Sequence, residues 1–379
     1  MSSSSNPALG QLQRSLEPSA SELGLLNVLE PEYLIDAFMT YPPLDFKSIF
    51  VSVDTARAPA FKAIFDLLTT LDQDAEQIRS FFKNFAFFKR FVSFPTLFVG
   101  TTATEYSNYP DLSDYKGLIS ALLKECKVQD AQLLIVKDVP EKSPLLTERE
   151  NQKAEQLLKQ CQEQGFLLLE GQALAYVPID FSSVDQYMMR LSKSRRKEFR
   201  KKLKESSRVV VEELSCGARA FLDDNFLDLM YRMYENVYQQ SEIHFDILSR
   251  EFFAAVLQDA SGNGKVFCYR VDGKLIGYNI CFVRGDRLVD KYVGFVYPQA
   301  REANLYFISW FYNLEYAVRN KLKYYIAGWT DPAVKASLGA SFTMTRHAVF
   351  IRNPILRAIL TPFKHLFESD SAILEKSST

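Results

Sequence analysis

Two tight turns constrain this chain more than any other feature. Asp272-Gly273 and Gly285-Asp286 separate three runs rich in strand-forming residues, 266–271, 274–283 and 288–295. Two-residue loops of this composition close antiparallel hairpins, so the three runs form a meander. The middle strand is apolar on both faces, with Leu275, Cys281 and Val283 on one and Ile276, Tyr278, Ile280 and Phe282 on the other; Asn279 is its polar exception. Such a strand is buried on both sides, which requires helices over both faces of the sheet. The next segment, 303–319, is apolar nearly all round and reads as a buried helix. A strand over 322–327, a short helix over 332–338 and a strand over 342–351 follow it. Upstream lie a strand over 209–213 and two amphipathic helices around 226–238 and 249–257. The order is β, α, α, β, β, β, α, β, α, β, an α/β class with a mixed sheet.

A chain of 379 residues exceeds a comfortable single core, and 47% apolar residues suffice for two. Short apolar runs at 49–53, 97–99, 132–136, 166–169 and 174–177 alternate with helical stretches near 61–71, 114–126 and 148–164, a second α/β pattern. The expected division is a tail plus helix over 1–45, a first domain over 46–179, a second over 180–352 and a trailing amphipathic helix and tail over 353–379. Residues 81–98 hold eight phenylalanines with Lys83, Lys89 and Arg90 interleaved. Phe81, Phe85 and Phe88 form a helical stripe, so core packing is the reading, with an aromatic cleft wall or an interfacial membrane helix as alternatives.

The charge is distributed locally. Eight Lys or Arg fall within 193–204, opposed only by Glu198, while Lys plus Arg (45) and Asp plus Glu (46) nearly cancel over the chain. A general nucleic-acid binder is basic overall, whereas a basic patch on a neutral protein suits one anionic ligand, a phosphate-bearing donor or a tRNA arm. The run continues a helix that Ser182 or Ser183 caps, with Val184, Tyr187, Met188 and Leu191 on its apolar side. Carried on at 100° per residue, that stripe meets Arg195, Phe199 and Leu203, so Arg195 is expected to point at the body of the protein while Arg196, Arg200 and Lys201 face water. The five cysteines lack CxxC spacing and the histidines are His244, His347 and His365, which leaves neither a disulfide framework nor a zinc site. No run approaches the roughly 18–20 apolar residues of a membrane span, and the first residues lack signal-peptide character, so the expected location is cytoplasmic.

The element order resembles that of the GNAT acyltransferase superfamily. The run Ser192-Lys193-Ser194-Arg195-Arg196-Lys197 with Phe199-Arg200, the Tyr278-Asn279 pair, Asn304-Leu305-Tyr306 opening the buried helix, and Gly328 with Lys335 ahead of Leu338-Gly339 resemble its FemAB-like, or BioF2-like, branch over about 170–352. Gly100 and Ser113-Asp114-Tyr115 are consistent with the degenerate first GNAT-like domain that such proteins carry in tandem. The resemblance implies transfer of an acyl group from acyl-coenzyme A, as a co-substrate not permanently bound, or from an aminoacyl-tRNA, to an amine. In the GNAT plan the donor pyrophosphate rests on backbone amides at a glycine-rich turn before the buried helix. Here that turn, 296–303, has no glycine, which leaves Arg301 and the helix N-terminus to hold a phosphate.

Such chemistry needs a proton acceptor for the amine, a stabiliser of the oxyanion and a proton donor for the leaving group. Strand alternation sets Asp290 and Tyr292 on one face and Lys291 on the other, which makes Asp290 the candidate acceptor and Tyr292 the candidate donor. The resemblance adds Lys335, Asn279, Asn304, Tyr306 and, with Arg196, the anion anchor Arg195. His244, between two helices, is a further acceptor contact. An ion-paired strand aspartate, a core tyrosine and a surface lysine are the structural readings of the same residues, and a non-catalytic protein using 193–204 on tRNA or an anionic membrane is the functional alternative. Nothing in the sequence fixes an oligomeric state.

Overall fold

Period-two burial draws the first half of the chain into a sheet. The computed structural model describes residues 23–66, 93–205, 207–241 and 245–360. Helix α1 (Tyr33–Thr40) precedes β1 (Lys47–Val53), β2 (Ala56–Asp66) and β3 (Ser93–Val99), then α2 (Lys116–Val128), β4 (Leu133–Pro140), α3 (Glu148–Glu163) and β5 (Leu167–Glu170). Residues 61–66, expected to be helical, continue β2 instead. Phe61 and Ala63 turn inward while Ile64 is exposed, the alternation of a strand and not of a helix. Residues 67–71 and most of the phenylalanine-rich run, 81–92, lie outside the described residues. Helix α3 opens on a reciprocal cap in which Thr147 accepts from the Glu150 amide and the Glu150 carboxylate takes the Thr147 amide.

The second half contains β6 (Leu174–Pro178), α4 (Val184–Met188), α5 (Lys193–Glu205), β7 (Val210–Ser215), α6 (Asp224–Gln240), α7 (Arg250–Leu257), β8 (Gly264–Val271), β9 (Lys274–Arg284) and β10 (Arg287–Phe295). After these come α8 (Gln299–Glu302), α9 (Leu305–Arg319), β11 (Tyr324–Gly328), α10 (Pro332–Leu338), β12 (Ser341–Thr343), β13 (Thr345–Ile351) and α11 (Pro354–Leu360). The meander forms as the turns require: Val271 pairs with Lys274 and Arg284 with Arg287. Strand β11 lies parallel to β10, giving the sheet order β12-β6-β11-β10-β9-β8-β7. Helices α6 and α7 cover one face through Met230, Phe252 and Phe253 against Tyr278, Ile280 and Phe282; α9 covers the other through Leu305, Phe311 and Leu314 against Ile276, Cys281 and Leu288.

The two sheets exchange strands. The run expected over 342–351 to finish the second domain divides, and its larger part, β13, inserts between β4 and β5 of the first sheet, whose order is β1-β2-β3-β4-β13-β5. In return β6 leaves the first half and pairs with β11 and β12. Each sheet is therefore completed by the other half of the chain.

Between β10 and β11 the parallel ladder covers only Arg287–Val289 against Tyr324–Ile326. Beyond it a bulge at Asp290–Tyr292 in β10 and a register shift at Ile326–Gly328 in β11 bend the strands apart. That gap positions the site. Close packing beside it rests on Gly294, over which the Tyr278 ring lies: a β-carbon there would stand 2.3 Å from Tyr278 Cε1. The Tyr278 hydroxyl donates to Met230 O at 2.8 Å and so ties β9 to α6. Gly294→Ala is expected to lower unfolding free energy by about 1–3 kcal/mol through overpacking, measured by urea denaturation.

Candidate functional site

A cleft of about 480 Å³ opens beside the splayed strands. Its walls are α5 (Arg195, Phe199, Lys202), the turn after β10 (Tyr297, Arg301), the start of α9 (Asn304, Tyr306) and α10 (Val334, Ser337). Asn304 has φ 52°, so it supplies in the glycine-free turn the left-handed residue that breaks 299–319 into α8 and α9. Three cations border the cleft and one carboxylate, Glu198, which pairs with Lys202 at 2.6 Å. Arg301 stacks on Tyr297 at 4.9 Å and donates to Gln240, which fixes its guanidinium at the rim.

The basic helix differs from its expected phase. Residues 189–192 interrupt it, Ser192 accepts the Arg195 amide at 3.3 Å, and α5 restarts with its own rotation. Phe199 is buried and Arg196 half-buried, while Arg195 is exposed on the cleft wall. Arg196 donates to Leu191 O at 2.6 Å and Met189 O at 3.3 Å, capping the end of α4. Arg195 thus reaches the cleft from the solvent side and not as a buried anchor.

A buried polar network centres on Asp290. Asp290 Oδ2 accepts from Asn313 at 2.8 Å and from the Tyr325 hydroxyl at 3.1 Å, and Oδ1 accepts from Asn279 at 3.3 Å and from Cys281 Sγ at 3.5 Å. Asn279 also donates to Asn313 and accepts from Tyr269, so β8, β9, β10, β11 and α9 meet at one carboxylate. Burial raises the pKa of Asp290, with the Asn279 and Tyr325 hydrogen bonds and the charge of Lys335 opposing it. The expected pairing with Tyr292 fails. Lys291 is the extra residue of the bulge, so alternation is interrupted and Tyr292 faces Phe252, Phe253 and Phe282 on the opposite side of the sheet.

Lys291 in turn reaches the first half of the chain. Its ammonium is 2.7 Å from Glu105 and 3.7 Å from Glu30, and Glu30 also accepts the Glu105 amide at 2.6 Å. All three side chains are buried. Burial carries the Glu30 carboxyl up to about 7, against the pull of Lys291. Lys335, only 4% exposed, comes from α10 into the same region. A β-carbon on Gly328 would lie 3.9 Å from its Nζ and 4.0 Å from Glu105 Oε1. Among the described residues it has no hydrogen-bond partner or carboxylate within ion-pair distance. Burial lowers its pKa to about 8, against Glu105, Asp290 and Asp331.

The structure thus brings Arg195, Arg301, Asn304 and Tyr306 to the cleft, Asn279 and Asp290 to the buried network, and Lys335 to the vicinity of Gly328 and Glu105. Tyr292 lies on the far face, Arg196 caps a helix, and His244 lies outside the described residues. Glu30 and Glu105 escape sequence reasoning, because single carboxylates in irregular segments carry no periodic signal. The one available clue is 100–110, an irregular stretch rich in Thr, Ser and Asn that is buried except at Thr102. Since charging Lys335 is disfavoured in the folded chain, its penalty is full below about pH 8 and fades as pH rises toward the unfolded value. Lys335→Met should therefore raise unfolding free energy at pH 7 by up to about 3 kcal/mol, a gain that disappears near pH 10 in paired denaturant titrations.

Solved structures share this architecture at low identity. L-PGS from Bacillus licheniformis aligns at TM-score 0.51 and 9% identity, covering 90% of this chain and 98% of that one. The C-terminal domain of a protein assigned as a lysylphosphatidylglycerol synthetase from Agrobacterium fabrum aligns at 0.52 and 11%, covering 90% and 93%. FemX aligns at 0.48 and 11%, covering 86% and 98%. Coverage of nine-tenths of the chain by the first two means that both sheets, and not one alone, share their fold. Among curated proteins none matches. The FemAB-like family model, described as peptidoglycan biosynthesis and recognition, matches residues 120–376, and the chain belongs to that family.

Proposed function

We propose that this protein transfers an acyl or aminoacyl group from a phosphate-bearing carrier, acyl-coenzyme A or an aminoacyl-tRNA, to an amine, with a peptidoglycan precursor as the acceptor that the family description favours. The observation that carries the reading is the cation-lined cleft beside the splayed strands, with the unpaired, buried ammonium of Lys335 on the same short helix as the cleft residues Val334 and Ser337. Arg195, Lys202 and Arg301 would hold carrier phosphates, and the α9 N-terminus beside Asn304 adds amide donors. Lys335 would stabilise the carbonyl oxygen as it gains charge, which a dry environment strengthens. The Tyr306 hydroxyl, buried without a hydrogen-bond partner, would give a proton to the leaving oxygen or sulfur. Asp290 Oδ1, held by long contacts only, would take the proton of the attacking ammonium, and Asn279 and Asn313 keep that carboxylate in place.

Purified protein incubated with carriers bearing radiolabelled acyl groups and an amine-terminated stem peptide tests this directly. Label is expected on the peptide. Arg195→Ala with Lys202→Ala should raise KM for the carrier with little change in kcat, and Lys335→Met should lower kcat by about 10²–10³. Because the charged form of Lys335 acts, turnover should fall as pH rises through about 8, and Lys335→Arg should move that limb upward. No transfer from any carrier, together with salt-sensitive binding to tRNA or anionic vesicles alone, would establish the non-catalytic alternative.

A further inference from the structure

Lys335 is a buried amine with nothing to hold its charge. The carboxylates that face it are Glu105, Asp290 and Asp331. Glu105 is engaged by Lys291 at 2.7 Å, and Asp290 already accepts from Asn313, Tyr325, Asn279 and Cys281. Asp331 accepts the Lys335 backbone amide at 3.0 Å through its main-chain carbonyl and, among the described residues, makes no ion pair with the side chain. The other buried or cleft-lining lysines differ: Lys137 is paired with Asp138, Lys202 with Glu198 and Lys291 with Glu105. The Lys335 nitrogen also lies where β10 and β11 part, since a β-carbon on Gly328 would stand 3.8 Å from Asp290 O and 3.9 Å from Lys335 Nζ.

A paired or hydrated ammonium has no free electron pair, whereas burial without a partner favours the neutral amine, which is a nucleophile. We infer that Lys335 is a self-acylation site, which takes the acyl group of a thioester onto Nζ and thereby switches the transfer site off. The Nζ electron pair attacks the carbonyl carbon, the C–S bond breaks, and the leaving thiolate takes up the proton that the nitrogen releases. The products are a side-chain amide and a free thiol, and no further reactant is needed. The amide is neutral, so the unpaired charge that burial penalises is gone, and Glu105 Oε2, buried without a hydrogen-bond partner, offers an acceptor for the amide N–H. The same change removes the cation that would stabilise the carbonyl oxygen during transfer. The inference rests on the transfer reading, in that the gap beside Gly328 receives an activated carbonyl, and it adds the product formed there when no acceptor amine is present.

Mass spectrometry of the full chain tests this without requiring turnover. The protein is incubated, with no acceptor amine, with acetyl-coenzyme A and separately with S-acetyl-N-acetylcysteamine, a thioester that lacks phosphate, and the products are located by peptide mapping. The label is expected on Lys335, added at pH 7 at least about tenfold faster than on the exposed lysines Lys116 and Lys274, because the neutral share of an amine grows as its pKa falls. The rate should rise as pH passes through about 8, opposite in direction to the turnover limb expected for transfer. Resistance to hydroxylamine distinguishes the amide from an ester on Ser337 or Tyr306 at the cleft. Lys335→Arg keeps a cation there and should lose the label, and the acetylated wild-type chain should unfold at a higher urea concentration than the unmodified one at pH 7. Labelling of Lys335 no faster than of Lys116 and Lys274, or a label that hydroxylamine removes, would overturn the inference. Transfer to the stem peptide from a thioester that leaves Lys335 unmodified would overturn it while leaving the transferase reading intact, and Lys335 labelled by both thioesters without transfer to any amine would do the reverse.

Discussion

One extra residue in β10 organises the rest of the site. The bulge at Lys291 ends the parallel ladder with β11, turns Asp290 toward α9 and Tyr292 toward α6 and α7, and sends the Lys291 side chain out of the sheet toward Glu30 and Glu105. A regular strand would keep Asp290 and Tyr292 on one face and would close the gap beside which the cleft opens. Bulges re-aim side chains at the cost of local ladder hydrogen bonds, and here the four donors around Asp290 compensate that cost.

The same device joins the halves of the chain. Lys291 meets carboxylates from two separate segments of the first half, Arg284 on the neighbouring strand binds Glu32 at 2.9 Å and donates to Val28 O, and β6 and β13 cross between the sheets. Removing one member of a buried ionic group leaves an uncompensated charge, so these contacts fix relative position more than they add net stability. Lys335 shows the same economy from the other side: its burial disfavours the ammonium, a destabilised arrangement of the kind functional sites retain.

The fold was largely legible in the sequence, because it rests on signals that burial enforces locally. Asp272-Gly273 and Gly285-Asp286 set the hairpins, the two-faced apolar pattern of β9 set the helical layers, and the all-round apolar helix set the crossover to a parallel strand. Tertiary choices were not legible. Apolar runs such as those of β6 and β13 state that they are buried but not in which sheet, and the apolar spacing of 61–66 fits a helical period although the segment is a strand. Helix phase failed at Arg195 because Ser192 restarts the helix, and alternation failed at Tyr292 because a bulge has no sequence signature here. Of the resemblance-borne residues, Asn304 and Tyr306 line the cleft while Asn279 is buried in the Asp290 network and Lys335 beside Gly328, whereas Glu30 and Glu105, single carboxylates in irregular segments, became visible only when the halves were brought together.

In the proposed reaction the gap between β10 and β11 holds the reacting end of a carried acyl group. A crystal structure with an uncleavable donor analogue, an amide in place of the ester or thioester, tests it most directly. Carrier phosphates are expected against Arg195, Lys202 and Arg301, with the acyl carbonyl turned past Tyr306 toward Lys335 and no displacement of Asp290 from Asn313. Analogue bound only along the outer face of α5, with the cleft and Lys335 unchanged, would contradict it.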